Sequence, residues 1–125
     1  MTRTVLLVED NELNRYLATF LLEGRGLKVV SALDGPTAVR LATSMKPAII
    51  LLDIQLPLMD GYEVARTLRR DPSLDQSVII AVTAFAMVGD RDKAVEAGFD
   101  GYIEKPVDPA TFVDEVLRQA AAKIG

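Results

Sequence analysis

The sequence predicts an α/β protein built on a parallel sheet with helices against both faces. Short apolar runs alternate five times with segments whose apolar residues recur every three or four positions. The third run, Ala48–Leu52, is apolar throughout and lacks the alternation of a half-exposed strand, which suits a central strand covered on both sides. The joins are short, so successive strands run parallel through right-handed helical crossovers.

The first strand is Thr4–Val8, followed by a helix in which Leu13, Leu17, Phe20 and Leu21 recur at helical spacing and which ends near Gly24 or Gly26. Lys28–Ala32 is a weaker strand. Asp34 is placed to cap the next helix, whose buried side is Ala38, Leu41, Ala42 and Met45 and which stops before Pro47. After Ala48–Leu52, Val64, Ala65 and Leu68 mark a third helix closed by Pro72. Val78–Val82 is the fourth strand, and Val88–Ala97, bounded by Gly98, the fourth helix. A strand around Gly101–Glu104 and a helix from about Pro109 to Ala122, with Val113, Val116, Leu117 and Ala120 inward, complete the series. No internal repeat or low-complexity linker interrupts residues 1–125, and one domain is expected.

Composition narrows the chemistry. A formal charge of −4 without clustered Lys or Arg argues against a nucleic-acid surface. No stretch approaches the roughly 18 apolar residues that span a bilayer, and the N-terminus lacks the pattern of a signal peptide. A soluble intracellular protein is the expectation. The chain has no Cys and no His. It therefore offers no thiolate or zinc–histidine site, no histidine base and no phosphohistidine of its own.

Four of the apolar runs end on residues that do not suit a core: Glu9-Asp10, Asp53, Thr83 and Lys105-Pro106. Parallel strands place these ends on one edge of the sheet, where open α/β sheets bind their ligands. Three carboxylates brought together repel and call for a cation, and an oxygen-only set favours magnesium or manganese. Glu9, Asp10 and Asn11 are also capping candidates for the helix that starts near Glu12, a role compatible with metal binding. Asp53, between the acidic pair and the Thr83/Lys105 side, is the candidate nucleophile, since a carboxylate can attack phosphorus to form an acyl phosphate. Thr83 and the main chain of Ala84 are candidate donors to phosphoryl oxygens, and Lys105 is a compact charge for the same group. A cis bond at Pro106 would hold Lys105 inward.

These residues lie in stretches, VLLVEDNELNR, LLDIQLPLMDGYEV, VTAFA and YIEKP, whose order and spacing resemble the receiver domain of two-component response regulators over nearly the whole chain. The resemblance implies a flavodoxin-like (βα)5 fold with sheet order 2-1-3-4-5. It implies magnesium bound by Glu9, Asp10, Asp53 and the main-chain carbonyl of Gln55, with phosphorylation on Asp53. Thr83 then matches the switch hydroxyl, Lys105 the phosphate-contacting lysine, Lys105-Pro106 the cis bond and Tyr102 the switch aromatic. Pro57 and Gly61 match the loop and turn beyond the phosphorylated strand. Glu9 stands where Asp is commoner, a frequent variant. EDNELN and AVTAFAMVGD are similar to stand-alone receivers of bacterial cell-division control and to receivers attached to hybrid kinases. The partners implied are a sensor histidine kinase or histidine phosphotransfer protein meeting the first helix, and a downstream signalling protein meeting the face of the fourth helix, fifth strand and fifth helix.

Other readings fare less well. A flavin-binding domain of this topology needs a phosphate-cradling first loop, whereas Glu9-Asp10-Asn11-Glu12 has no Gly and repels anions. A hydrolase with an Asp nucleophile wants a second carboxylate two residues on, where Gln55 stands. A binding-only pseudo-receiver would have lost an acceptor, metal or lysine group, and none is lost. Gln55 and Phe85, two places beyond Asp53 and Thr83, flank the approach of hydrolytic water under the resemblance. Gln55 is no base and Phe85 cannot orient water, so slow self-dephosphorylation is expected.

Overall fold

The computed structural model describes residues 3–84 and 89–124. In chain order it contains strand β1 (Thr4–Val8), helix α1 (Glu12–Gly24), β2 (Lys28–Ala32), α2 (Gly35–Met45), β3 (Ile49–Asp53), α3 (Gly61–Arg69), β4 (Val78–Thr83), α4 (Asp90–Ala97), β5 (Gly101–Glu104) and α5 (Phe112–Ile124). All pairings are parallel, in the order β2-β1-β3-β4-β5. This is the α/β architecture read from the sequence, with the strand order that the resemblance supplied. Among the described residues no helix is long and apolar enough to cross a membrane.

The two-residue period of a strand divides the apolar runs between two cores. Leu6, Val8, Ile50, Leu52, Ile79 and Ala81 face Ala38 and Ala42 of α2, Val64, Ala65 and Leu68 of α3, and Ala94 and Ala97 of α4. Val5, Leu7, Ile49, Leu51, Val78, Ile80 and Val82 face Ala18 and Leu22 of α1 and Val113, Val116 and Ala120 of α5. Burying one large aliphatic side chain stabilises by about 1.5–3 kcal/mol, so runs apolar on both faces anchor the sheet.

Helix α1 differs from its sequence pattern. Ala18 and Leu22 are the buried positions, while Leu13 and Phe20 are 79% and 65% exposed. The helix is apolar on two faces. The periodic set Leu13, Leu17, Phe20 and Leu21 mixes half-buried residues with an outer stripe in which Tyr16 and Phe20 stack at 6.5 Å. Helix α4 starts at Asp90, after Gly89 in the left-handed region, and closes at Gly98; Val88, its expected first residue, lies outside the described residues. Helix α5 starts at Phe112, later than Pro109. Asp108 accepts the amide of Ala110 on its side chain and those of Thr111 and Phe112 on its carbonyl, so a capped turn precedes the helix. Strands β3 and β4 each run one residue further than expected, taking Asp53 and Thr83 into the sheet.

Candidate functional site

Sheet register assembles the site. Val8 pairs with Leu52, Asp53 with Val82 and Thr83 with Glu104. Glu9 is therefore level with Asp53, Thr83 stands one residue beyond, and Lys105 begins two residues beyond on the far strand. The long lysine arm closes that gap: its Nζ donates to Asp53 Oδ2 at 2.9 Å and to Glu9 Oε2 at 2.8 Å. Carboxylate oxygens of Glu9, Asp10 and Asp53 lie within 4.8 Å of one another. Glu9, Asp53 and Thr83 are buried and Asp10 is exposed, so the cluster is open on one side.

Each group is held by local structure. Asn11, of the three capping candidates, is the cap of α1: its Oδ1 accepts the Asn14 amide at 2.9 Å. Glu9 and Asp10 are thereby left to the site. Asn14 Nδ2 also donates to Glu9 Oε1 at 3.3 Å, and Arg15 donates to the Glu9 carbonyl at 3.1 Å. Sequence reasoning missed both contacts; the signal available was a polar residue one turn into the helix that leaves the acidic pair. Asp53 Oδ1 accepts the Gln55 amide at 2.9 Å, which orients the carboxylate. The Lys105-Pro106 bond is cis. Gly61 opens α3 against the end of β3: a Cβ there would stand 2.5 Å from Ile54 Cα and 2.6 Å from the Asp53 carbonyl oxygen. The Gly61 amide donates to the Ile54 carbonyl at 2.8 Å, so only glycine allows this approach.

Between these elements, Pro57 and Leu58 form a tight turn in which the Met59 amide donates to the Pro57 carbonyl at 2.8 Å and Leu58 takes φ 70°. The turn forms one bank of an open cleft of about 780 Å³, and Glu9, Asp10, Asp53, Gln55, Ala84 and Lys105 also line it. Thr83 and Ala84 reach the same edge from β4. Phe85, expected beside the path of hydrolytic water, lies outside the described residues.

The electrostatics are those of an acidic site balanced in part by one lysine. Burial raises the Glu9 carboxyl above its ordinary value, against the lowering by its Lys105 hydrogen bond, and the Asp53 charge adds to the rise. Burial opposes the Lys105 charge, but the hydrogen bonds to Glu9 and Asp53 outweigh it and raise the ammonium above its ordinary value. One lysine thus faces three carboxylates. The surplus negative charge and the all-oxygen donor set fit a hard divalent cation.

Tyr102 lies away from the cleft, on β5. Its ring packs against the core shared with α3 and α4, with Arg91 over its face at 5.3 Å. Its hydroxyl is buried without a hydrogen-bond partner among the described residues.

Comparison with known proteins agrees with this geometry. Residues 5–117 match the family profile of the response regulator receiver domain. The chain belongs to that family. It is 41% identical over 116 residues to the polar-differentiation response regulator DivK of Brucella ovis, spanning 93% of this chain and 94% of that protein. Among solved structures, it is similar to the receiver domain of a sensor histidine kinase from Pseudomonas aeruginosa, described with magnesium coordinated in its active-site cleft. That match has a TM-score of 0.88 and 35% identity, covering 97% of this chain and 99% of the other. A chemotaxis response regulator of Vibrio cholerae shares the fold, with a TM-score of 0.90 and 24% identity over 95% of this chain and 99% of that one. This receiver domain is thus a phosphoacceptor of two-component signalling, in a class distinct from conventional enzymes.

Proposed function

We propose that Asp53 is the residue that accepts the phosphoryl group, with Glu9, Asp10, Asp53 and the Gln55 carbonyl holding magnesium. The observation that carries this reading is the Asp53 carboxylate oriented by Gln55, paired with Lys105 and clustered with Glu9 and Asp10 at the floor of an open cleft. The phosphoryl group comes from the phosphohistidine of a sensor kinase or phosphotransfer protein, the donor that membership of the receiver family supports, or, more slowly, from a small phosphodonor. An Asp53 oxygen attacks phosphorus, the donor's N–P bond breaks, and the imidazole leaves with the electron pair and is protonated. Magnesium, when bound, offsets charge on the phosphoryl oxygens. Lys105 and Thr83, with the Ala84 amide, bind those oxygens, and Lys105 exchanges its Glu9 contact for the phosphate. Neither Gln55 nor Phe85 can serve as a base for water, which makes self-dephosphorylation slow.

The partner surfaces follow from the same edge. Leu13, Tyr16 and Phe20 are exposed along α1, whose start, at Asn11 and Asn14, lines the acidic cleft, and an exposed apolar stripe of this kind supports docking of the histidine-bearing helix of a kinase or phosphotransfer protein. Output goes through α4, β5 and α5. Phosphate on Asp53 draws Thr83 toward it and biases how Tyr102 is held, a population shift set by differential interaction with two states. Incubation with magnesium and acetyl phosphate, followed by intact-mass measurement, tests the reading: one phosphoryl group is gained by the wild type and none by Asp53→Asn.

A further inference from the structure

We propose that the carboxamide of Gln119 is a clamp on the open edge of β5, a positioning residue that ties the Tyr102 main chain to α5 and relays the state of the phosphorylation site to the outer surface of that helix. The inference deepens the reading of Tyr102 as a switch and rests on it. Strand β5 is the last in the sheet, with β4 on one side only. The amide and carbonyl of Tyr102 point away from β4, as an unpaired edge does, and edges of this kind invite a further strand. Gln119 occupies that place. Its Oε1 accepts the Tyr102 amide at 2.8 Å and its Nε2 donates to the Tyr102 carbonyl at 3.2 Å, the pair of bonds that a neighbouring strand would make.

Two further observations fix the carboxamide there. A Cβ on Gly101 would fall 1.9 Å from Gln119 Oε1, so a side chain at that position would push the clamp out, and the sequence has glycine. The second hydrogen of Nε2 goes to Glu115 Oε1 at 2.7 Å, one turn back on α5, and Glu115 pairs with Arg118 on the exposed side. Reversing the carboxamide would set its NH2 against the Tyr102 amide and its oxygen against the Glu115 carboxylate, so this orientation is the one the network allows. A continuous path therefore runs from the Tyr102 main chain through Gln119 and Glu115 to Arg118. The Tyr102 ring, in contrast, is held by packing and by Arg91, with its hydroxyl unpaired among the described residues. No hydrogen bond among the described residues fixes the ring hydroxyl, so the proposed response lies in the ring while the clamp keeps strand and helix moving together. By linkage, loosening the clamp alters the response to phosphate as phosphate alters the clamp.

Amide hydrogen exchange read by NMR on the full chain tests the clamp. Gln119→Met keeps length and packing and removes the hydrogen bonds, Gln119→Glu keeps only the acceptor, and Gly101→Ala displaces the carboxamide without changing it. Loss of the bonds is expected to speed exchange at Tyr102 by about tenfold in Gln119→Met and Gly101→Ala, and by less in Gln119→Glu, with Leu51 and Ile80 amides unchanged. With beryllofluoride and magnesium, wild-type shifts are expected to reach Glu115 and Arg118, and in both clamp-free variants to stop at β5. Unchanged Tyr102 exchange in Gln119→Met, or an α5 response that survives it, overturns the proposal. A wild-type chain that ignores beryllofluoride overturns the phosphoacceptor reading and with it the relay, while the exchange measurement still decides the clamp itself.

Discussion

Lys105 Nζ stands 2.9 Å from Asp53 Oδ2 while also donating to Glu9 at 2.8 Å, so one cation bridges two buried carboxylates, one at the end of β3 and the other just beyond β1. Removing it leaves two buried charges facing each other. Lys105→Met is expected to destabilise the magnesium-free protein by about 3 kcal/mol, the cost of breaking a buried pair from one side. Magnesium should restore part of this, and urea unfolding with and without the ion measures both effects.

Asp10 contributes charge to the cluster from an exposed position. Asp10→Asn should weaken magnesium binding by about an order of magnitude, since hard-cation affinity follows ligand charge, and leave the magnesium-free fold as stable or slightly more so. Glu9→Gln should cost less affinity, because Glu9 is already committed to Lys105. Titration calorimetry of the two variants gives the order directly.

The fold and much of the site were legible because the physics is local. Four apolar runs each ending on a polar residue announce parallel strands with a common working edge, and Glu9, Asp10, Asp53, Thr83 and Lys105 meet on that edge. The phase of α1 was not legible: Leu13 and Phe20 read as members of a core stripe, and only packing against α5 shows that Ala18 and Leu22 fill the interface. The strand order could not come from periodicity, since any order buries the same runs. Long-range polar ties were equally hidden. Asp100 receives the Ile79 amide at 2.9 Å and pairs with Arg69 and Lys123, and Gln119 caps β5, yet in sequence each looks like an ordinary solvated side chain.

Gly61 tests whether the end of β3 needs the close approach of α3. Gly61→Ala is expected to lose about 1–3 kcal/mol through overpacking against Ile54, with a fall in thermal midpoint, and to weaken magnesium binding by displacing the Asp53–Gln55 segment. An unchanged midpoint would show that the backbone yields without cost.

The raised Glu9 carboxyl sets a sign for pH dependence. A group whose folded pKa lies above its unfolded value contributes its stability below the unfolded value and loses it as pH rises through the folded one. In magnesium-free buffer the wild type should therefore lose stability relative to Glu9→Gln as pH climbs from the ordinary carboxylate range into the raised window. Urea midpoints of both proteins across that range check it, and parallel curves would contradict the assignment.

The most direct measurement is borohydride trapping of the acyl phosphate after incubation with magnesium and acetyl phosphate, followed by peptide mapping. The account predicts that the reduced residue is Asp53, that omission of magnesium abolishes it, and that Asp53→Asn yields none while retaining the wild-type fold. A modified residue elsewhere in the cleft, or full phosphorylation of Asp53→Asn, would contradict it.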